Sequence, residues 1–550
     1  MPLYPDAAMV QIKTRMEPTI KARRLRLFGS ICVLVAAAGL LFYGLGRYAL
    51  WDDEASQALL AEQVWRTGDT SAVIGLNIIA YDHGAELENL HDRANPPLLS
   101  YLMAPFVGAD TASSLRPRLP MAICGLIFFA LMLRWLWRAR LDGPTWILFC
   151  IALLCNVSLF LFFRQARYYG ISLVCSLAVA YLYFNWRGSR GTLLGMSLLM
   201  TCLLASHYMT YAAVCIVLTV DYSFWKRKER PLTMPDWSIL LAPQIAIGCF
   251  VVAIWNPFAT GVGRDLFSDS VRQRLALFWW NLRDMNRCEF GVGLLLLAAP
   301  LLWRRIKNPF LLRGPVAILV YCATMTLVSP KVIGISLHVA DVRYLVPLIP
   351  LCIAVSVLTL RTLIGGRTWL AVPLGLIAFG TNLLNFGPAL PEGFRSTILS
   401  YLGELRTPVP GPYLITARWI NQNVQPGASI WVNPQYAAYP LIYYAPKAIY
   451  AWQLEFPPKP QFRGLENIHF FGIEPPDYLI AFGPDIAGTL NVIRSGRKLG
   501  FLYQPEATLD RYWNTMHRPE LMSHNFTPVE HFDHSTEAIY IFKRVQPKVE

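Results

Sequence analysis

Asp52, Asp53 and Glu54 stand side by side in "RYALWDDEASQALLAEQVW", directly after the first long apolar run of the chain. A carboxylate there could take the proton of an attacking hydroxyl, which is too weak a nucleophile at its own pKa. General-base help of this kind is worth ~10²–10⁴-fold in rate. Two cationic groupings lie far downstream. One is Arg164, Arg167, Tyr168 and Tyr169 in "FFRQARYYG"; the other is Lys331, His338, Asp341, Arg343 and Tyr344 in "SPKVIGISLHVADVRYLVPLIP". Guanidinium groups offer planar, paired donors that match a phosphate, and tyrosine hydroxyls extend the set. Structure alone could also explain these residues. Acids in a first turn favour the helix dipole, and Arg or Lys at a helix end can snorkel to headgroups.

The elements that must carry these groups follow from composition. The chain has 550 residues, is 55% hydrophobic and only 15% charged, and its mean hydropathy is +0.38. Globular chains carry roughly 25% charged residues. Repeated apolar runs near the ~20 residues that cross a bilayer make this a polytopic membrane protein. The runs lack strict alternation, so they are helices rather than barrel strands. The net charge of +14 does not indicate nucleic acid, because Lys and Arg gather in short gaps between apolar runs: "KTRMEPTIKARRLR", "RWLWRAR", "WRGSR", "WKRKER", "WRRIKNPFLLR" and "RTLIGGR". These gaps recur at every second loop, which marks them as cytoplasmic and sets the N-terminus inside. The first apolar run is long for a signal peptide and is read as an uncleaved helix.

Eleven helices are predicted, near 27–45, 116–136, 144–163, 170–185, 192–208, 210–225, 237–255, 290–304, 313–330, 344–360 and 369–386. The chain then divides into a basic cytoplasmic N-terminus (1–26), a membrane domain (27–386) and an extracytoplasmic tail (387–550). Loop one (46–115), a smaller loop (256–289) and the tail all fall outside. In loop one, "DEASQALLAEQVW" reads as an amphipathic helix whose stripe of Ala58, Leu59, Ala61, Val64 and Trp65 lies along the interface. The tail carries the β-rich runs "ASIWVNP", "DYLIAFG" and "AIYIFKRV" after an amphipathic "YLITARWINQNV", the pattern of an α/β domain. It holds no Cys; of the 11 cysteines ten fall in predicted helices and Cys288 near a helix mouth, so no disulfide framework is indicated.

On this topology the acids and both cationic groupings face outward. Cations there run against the inside bias, and two Arg–Tyr pairs on one side are well explained by a single anion held at the interface. A lipid-phosphate sugar fits that description. Breaking its glycosyl bond develops charge on phosphate, which preorganised Arg, Lys and Tyr donors would stabilise. A base and a cationic clamp about one anomeric carbon give direct displacement with inversion.

The order Asp53-Glu54, "ASQALLAEQVWRTGD", "NPPLLSYLMAPF" and "RPRLPMAICGLIF", with "RQARYYG" and "VRYLVPLIPL" later, resembles the polyprenyl-phosphate-sugar-dependent GT-C glycosyltransferases over roughly 27–386. That group includes protein O-mannosyltransferases, the lipid A aminoarabinose transferase and rhizobial lipopolysaccharide galacturonosyltransferases. The resemblance implies a GT-C fold of about eleven transmembrane helices and an inverting transferase acting on the periplasmic side of the inner membrane. Its Asp-Glu pair falls on Asp53 and Glu54, with Asp52 an alternative base because the run of three leaves the register open. Arg164, Arg167 and Arg343, supported by Tyr168, Tyr169 and Tyr344, match donor-phosphate positions, and Lys331 of the same outer grouping is read as a further phosphate donor.

Two departures stand out. Many relatives carry Lys or His directly before Pro-Pro-Leu, where this chain has Asn95, leaving Arg93 or His91 as substitutes, with His338 a further substrate-binding candidate. Some carry an acid where this chain has Gln165, so no divalent metal or other cofactor is predicted. Expected partners are a polyprenyl-phosphate sugar donor, a glycan, lipid or protein acceptor, and membrane lipids. His207 in "ASHYMTY" reads as an interfacial His–Tyr pair, Asp221 as a helix-end polar residue, and Glu530, His531 and His534 as surface residues. The competing function is a transporter or flippase for lipid-linked sugars, although the internal repeats usual in transporters are absent.

Overall fold

The computed structural model describes residues 20–108, 112–259, 270–287, 293–306, 308–329, 342–385, 393–498, 501–510, 516–517 and 538–545. Among these, five helices are long and apolar enough to cross a bilayer: Arg24–Phe42, Leu115–Arg138, Met234–Trp255, Phe310–Val328 and Val342–Ile364. A sixth results if Gly143–Cys155 and Val157–Phe163, bent by 50°, count as one span. Shorter apolar helices include Tyr169–Asn185, Arg190–Ser206, Gly293–Arg304 and Thr368–Gly380. Each of the eleven predicted stretches contains helix. The protein is an α-helical membrane protein.

The chain forms two compact units. The first comprises the described parts of Met1–Tyr43, Met121–Phe250 and Leu266–Leu405. Its helix α1 is Ile20–Phe42. The bend at residue 156 has a local cause: the Asn156 side chain accepts from the Leu159 amide, so it caps a new helix rather than continuing the old one. That second helix, "VSLFLFF", is buried throughout and delivers the chain directly to Arg164. At the start of the next helix a Cβ on Gly170 would lie 3.3 Å from the Met121 Cα, so the close approach there favours glycine.

One expectation is corrected in this unit and one is extended. The segment 256–289, read as a loop, contains a helix at Val271–Arg287. Its apolar positions fall on one face, and the arginines and polar residues set between them hide that period from a search for apolar runs. Asp221 is more than a helix-end polar group: it is buried, its carboxylate accepts Arg313 Nε at 2.8 Å and Nη2 at 2.5 Å, and Tyr183 donates to it at 2.7 Å. Both residues of this ion pair line a cavity whose other walls are mostly apolar side chains, including Leu136, Leu177, Ala317, Leu351 and Leu358.

The second unit comprises the described parts of Gly44–Pro120, Val251–Asp265 and Arg406–Glu550. Helix α2 (Asp52–Thr67) begins at the acids and ends where Gly68 adopts φ 82° and donates to the Val64 carbonyl. It packs against α3 (Leu98–Val107) and against the Ala438–Tyr444 helix. The predicted stripe is therefore covered by protein, except that Trp65 is 55% exposed and lies outside it. Two short hairpins follow α2: β1 (Val73–Ile74) with β2 (Asn77–Ile78), and β3 (Leu87–Glu88) with β4 (His91–Asp92).

The three β-rich runs of the tail are strands of one five-stranded sheet. With β5 (Ser429–Asn433), β6 (Ile449–Tyr450), β7 (Tyr478–Phe482), β8 (Leu502–Leu509) and β9 (Ile539–Val545), the order is β6-β5-β7-β9-β8. Strands β5, β6 and β7 run parallel, whereas β9 pairs antiparallel with both β7 and β8. Trp431, Trp452, Leu479, Ile493 and Phe542 fill one core of this unit. A second core joins Ala72, Ile78 and Leu87 of the first loop to Leu454, Phe462 and Phe470 of the tail.

Candidate functional site

The three acids of α2 occupy different environments. Glu54 is fully buried; its carboxylate receives Arg118 Nε at 2.8 Å and pairs with Arg118 Nη2. Arg118 also donates to the carbonyls of Leu45 (3.2 Å), Tyr48 (2.8 Å) and Ala49 (2.8 Å). One guanidinium therefore ties the chain entering α2 to the first turn of α2, and the Trp51 amide donates to Glu54 at 3.3 Å. Asp52 is buried as well. Asp53 alone of the three is half-buried.

His91, Arg93 and Asn95 are engaged within their own loop. Arg93 forms a two-pronged pair with Asp69, at 2.9 and 2.8 Å, and stacks 4.6 Å over Trp255. The Arg93 bond holds the Asp69 carboxyl below its ordinary value of 3.8, with burial opposing. His91 Nε2 lies 3.5 Å from the same carboxylate. Asn95 donates both its amide (3.1 Å) and its side chain (2.9 Å) to Asp92, whose burial pushes its carboxyl upward against those bonds.

In the first unit, the two separated Arg–Tyr pairs converge on one imidazole. The His207 ring stacks on Tyr168, with centroids 3.9 Å apart and planes 7° from parallel. Tyr344 stacks beyond at 5.8 Å and 15°. Arg167 sits 5.4 Å over the Tyr168 ring and Arg343 5.2 Å over the Tyr344 ring, and both guanidinium charges act on His207. Tyr169 packs tilted against Tyr168 at 4.4 Å. His207 Nδ1 accepts from the Thr210 amide at 3.2 Å, leaving the ring's proton on Nε2. The tyrosines on which His207 stacks thus come from other elements rather than from its own "ASHYMTY".

Arg164, four residues from this stack's first tyrosine, has a different setting. Its Nη1 lies 2.9, 3.0 and 2.9 Å from the carbonyls of Leu40, Leu41 and Tyr43, closing the C-terminal end of α1. Gln165 is buried and donates to the Leu161 carbonyl at 3.3 Å. Lys331, His338, Asp341, Cys288, Glu530, His531 and His534 lie outside the described residues. Among the described residues no group of three or more His, Cys, Asp or Glu is placed to hold a metal.

Sequence reading passed over two groups. Arg118 sits in "RPRLP", where a helix-end arginine looks like a headgroup contact. Tyr439 is fully buried beside the first turn of α2; burial, then the charges of Glu86, Tyr81, Asp53 and Asp52, push its phenol well above its ordinary value. No local pattern distinguishes it from neighbouring tail tyrosines.

No protein-family model matches the chain, and no curated protein matches it. Solved structures do. ArnT from Cupriavidus metallidurans in the apo state aligns over 86% of this chain and 95% of its own, with TM-score 0.53 and 14% identity. The fold is GT-C. The same ArnT bound to undecaprenyl phosphate aligns over 94% of this chain and 98% of its own, with TM-score 0.53 and 12% identity. The archaeal oligosaccharyltransferase AglB from Archaeoglobus fulgidus, in complex with an inhibitory peptide and a dolichol-phosphate, aligns over 84% of this chain and 70% of its own, with TM-score 0.45 and 10% identity.

Proposed function

We propose that the protein is an inverting glycosyltransferase that moves a sugar from a polyprenyl-phosphate donor to an acceptor hydroxyl on the periplasmic face of the inner membrane. The observation that carries this reading is the convergence of Arg167, Tyr168, His207, Tyr344 and Arg343 into one cationic, aromatic cluster. Such a cluster suits a phosphate more than a lone snorkelling arginine does. ArnT, of the same fold, binds undecaprenyl phosphate, which supports a lipid phosphate as the ligand.

In the proposed step Asp53 takes the acceptor hydroxyl's proton as the new glycosidic bond forms. The bond from the anomeric carbon to phosphate oxygen breaks in line, and the leaving polyprenyl phosphate departs with its added negative charge. Arg167 and Arg343 hold that phosphate, with the tyrosines and the His207 Nε2–H as neutral donors. Lys331 and Arg164 complete the predicted donor set, Arg164 through its hold on α1. The topology proposed with it has eleven crossings, a cytoplasmic N-terminus and a periplasmic tail.

The test incubates the purified protein with a panel of polyprenyl-phosphate sugars and acceptors. Donor consumption by the wild type that falls ~10²–10⁴-fold in Asp53→Asn supports the reading. Unchanged turnover in that variant removes Asp53 from the role. Movement of donor across vesicles without bond cleavage would replace the transferase with a flippase.

A further inference from the structure

The apolar cavity of the first unit has a volume of about 250 Å³ and lies among helices that include Leu115–Arg138, Tyr169–Asn185, Tyr208–Asp221, Phe310–Val328 and Ile349–Ile364. An engineered apolar cavity of about 150 Å³ stays dry and takes up benzene. A larger one walled by leucine, alanine and aromatic side chains suits hydrocarbon better than water. Left empty, it would cost its walls their dispersion contacts.

The charge in the lining stands at one end. Tyr321, whose hydroxyl donates to the Tyr344 carbonyl at 3.1 Å, lines the end nearest the His207 stack. Arg313 lies two turns earlier on the same helix, ~12 Å away at 1.5 Å per residue. Asp221 takes its Nε and Nη2, whereas its Nη1 has no hydrogen-bond partner among the described residues. Phe184 lies 5.4 Å from this guanidinium, and Trp135 packs 6.2 Å from Phe184, so the last turns of Leu115–Arg138 reach the same end. There Ala139 and Leu141 line the cavity, and Arg140 between them is exposed, its side chain unpartnered among the described residues.

Arg140 and Arg313 belong to "RWLWRAR" and "WRRIKNPFLLR", two basic gaps of one face. With Asp221 counted, the mouth keeps one net positive charge, which one phosphodiester neutralises. A hydrocarbon space that opens on such a mouth fits an amphiphile with a single anionic head.

We propose that the cavity is a site for one anionic phospholipid of the leaflet facing the basic gaps. An acyl chain fills the cavity, and the phosphodiester accepts from Arg140 and from Arg313 Nη1. The site goes beyond the transferase reading and does not depend on it: Arg343, over the Tyr344 ring, stands at the opposite end.

The test delipidates the full-length protein in detergent and titrates it with dioleoylphosphatidylglycerol or dioleoylphosphatidylcholine, counting bound lipid by native mass spectrometry. One phosphatidylglycerol should bind per protein molecule, about fivefold or more tightly than phosphatidylcholine. Arg140→Gln, a change at an exposed side chain, should weaken phosphatidylglycerol about fivefold. Ala317→Phe, which fills the cavity from its wall, should abolish the bound lipid. Equal affinity for the two lipids, unchanged binding in Arg140→Gln, or lipid retained by a folded Ala317→Phe overturns the proposal. Displacement of phosphatidylglycerol by equimolar undecaprenyl phosphate would give the cavity to that lipid's tail and overturn it as well. None of these readouts involves donor cleavage, so a failed turnover assay strikes the transferase reading alone.

Discussion

Glu54 and Arg167 each bury a charge with less than a tenth of the residue exposed, yet they are held in different ways. Glu54 meets an opposite charge head-on, and Arg118 has its remaining donors on three backbone carbonyls. That pair is saturated and fixes geometry. Arg167 lies over a tyrosine ring, and a second guanidinium is held over the next tyrosine of the same stack. The comparison teaches that this protein accommodates buried charge in two ways, against an opposite charge at Glu54 and against an aromatic face at Arg167. Among the acids the same contrast separates neighbours, with Glu54 buried against Arg118 and Asp53 half-exposed.

The sharpest break of this comparison lies between those two adjacent residues. Asp53→Asn should lower turnover by ~10²–10⁴-fold with an unchanged thermal midpoint, measured by donor consumption and by unfolding of the same preparation. Glu54→Gln should do the reverse in kind. It strands Arg118 in the interior, so stability should fall by about 3–5 kcal/mol, read from denaturation in detergent, with activity lost only as folded protein is lost. A variant Glu54→Gln that folds normally but cannot turn over would erase the distinction.

Smaller effects sharpen the other side. Arg343→Lys keeps the charge and loses the planar fork and the stacking, so the donor KM should rise on the order of tenfold while the acceptor KM holds. Equal kinetics would mean that no bidentate phosphate contact is made there.

The smallest effect concerns the pair at Asp69 and Arg93. The Asp69 carboxyl sits below its ordinary value chiefly through the Arg93 bond, so the stabilisation it gives is present above about pH 4 and is lost as pH falls through the folded value. Asp69→Asn should therefore flatten the acid side of the thermal-midpoint curve, by no more than about 1 kcal/mol for so exposed a pair, and leave turnover near neutrality intact. A steeper acid limb in the variant would reverse the sign.

Much of this was legible in the chain. The spans stand out because lipid forces long apolar helices, and the tail strands because "IWVN", "YLIAF" and "IYIFKRV" alternate or cluster as buried strands do. The amphipathic helix of 271–287 escaped notice because its charges mask the apolar face. Roles inside the candidate site were less legible. Arg164 and Arg167 sit in one short motif, yet one closes a helix end and the other stacks on a tyrosine. Direction on a turn decides that, and spacing in a loop does not encode it.

What the sequence determined by itself is the solvent each segment prefers: apolar runs for lipid, basic gaps for one face, and chemistry-bearing residues for the loops between. Free energies of transfer act residue by residue, so they can be read one residue at a time. Tertiary structure alone decided which groups meet. Tyr168, His207 and Tyr344 lie in three separate stretches, and Tyr439 reaches α2 from nearly four hundred residues downstream. Such contacts depend on helix rotation and packing of distant surfaces, which no local window of residues contains.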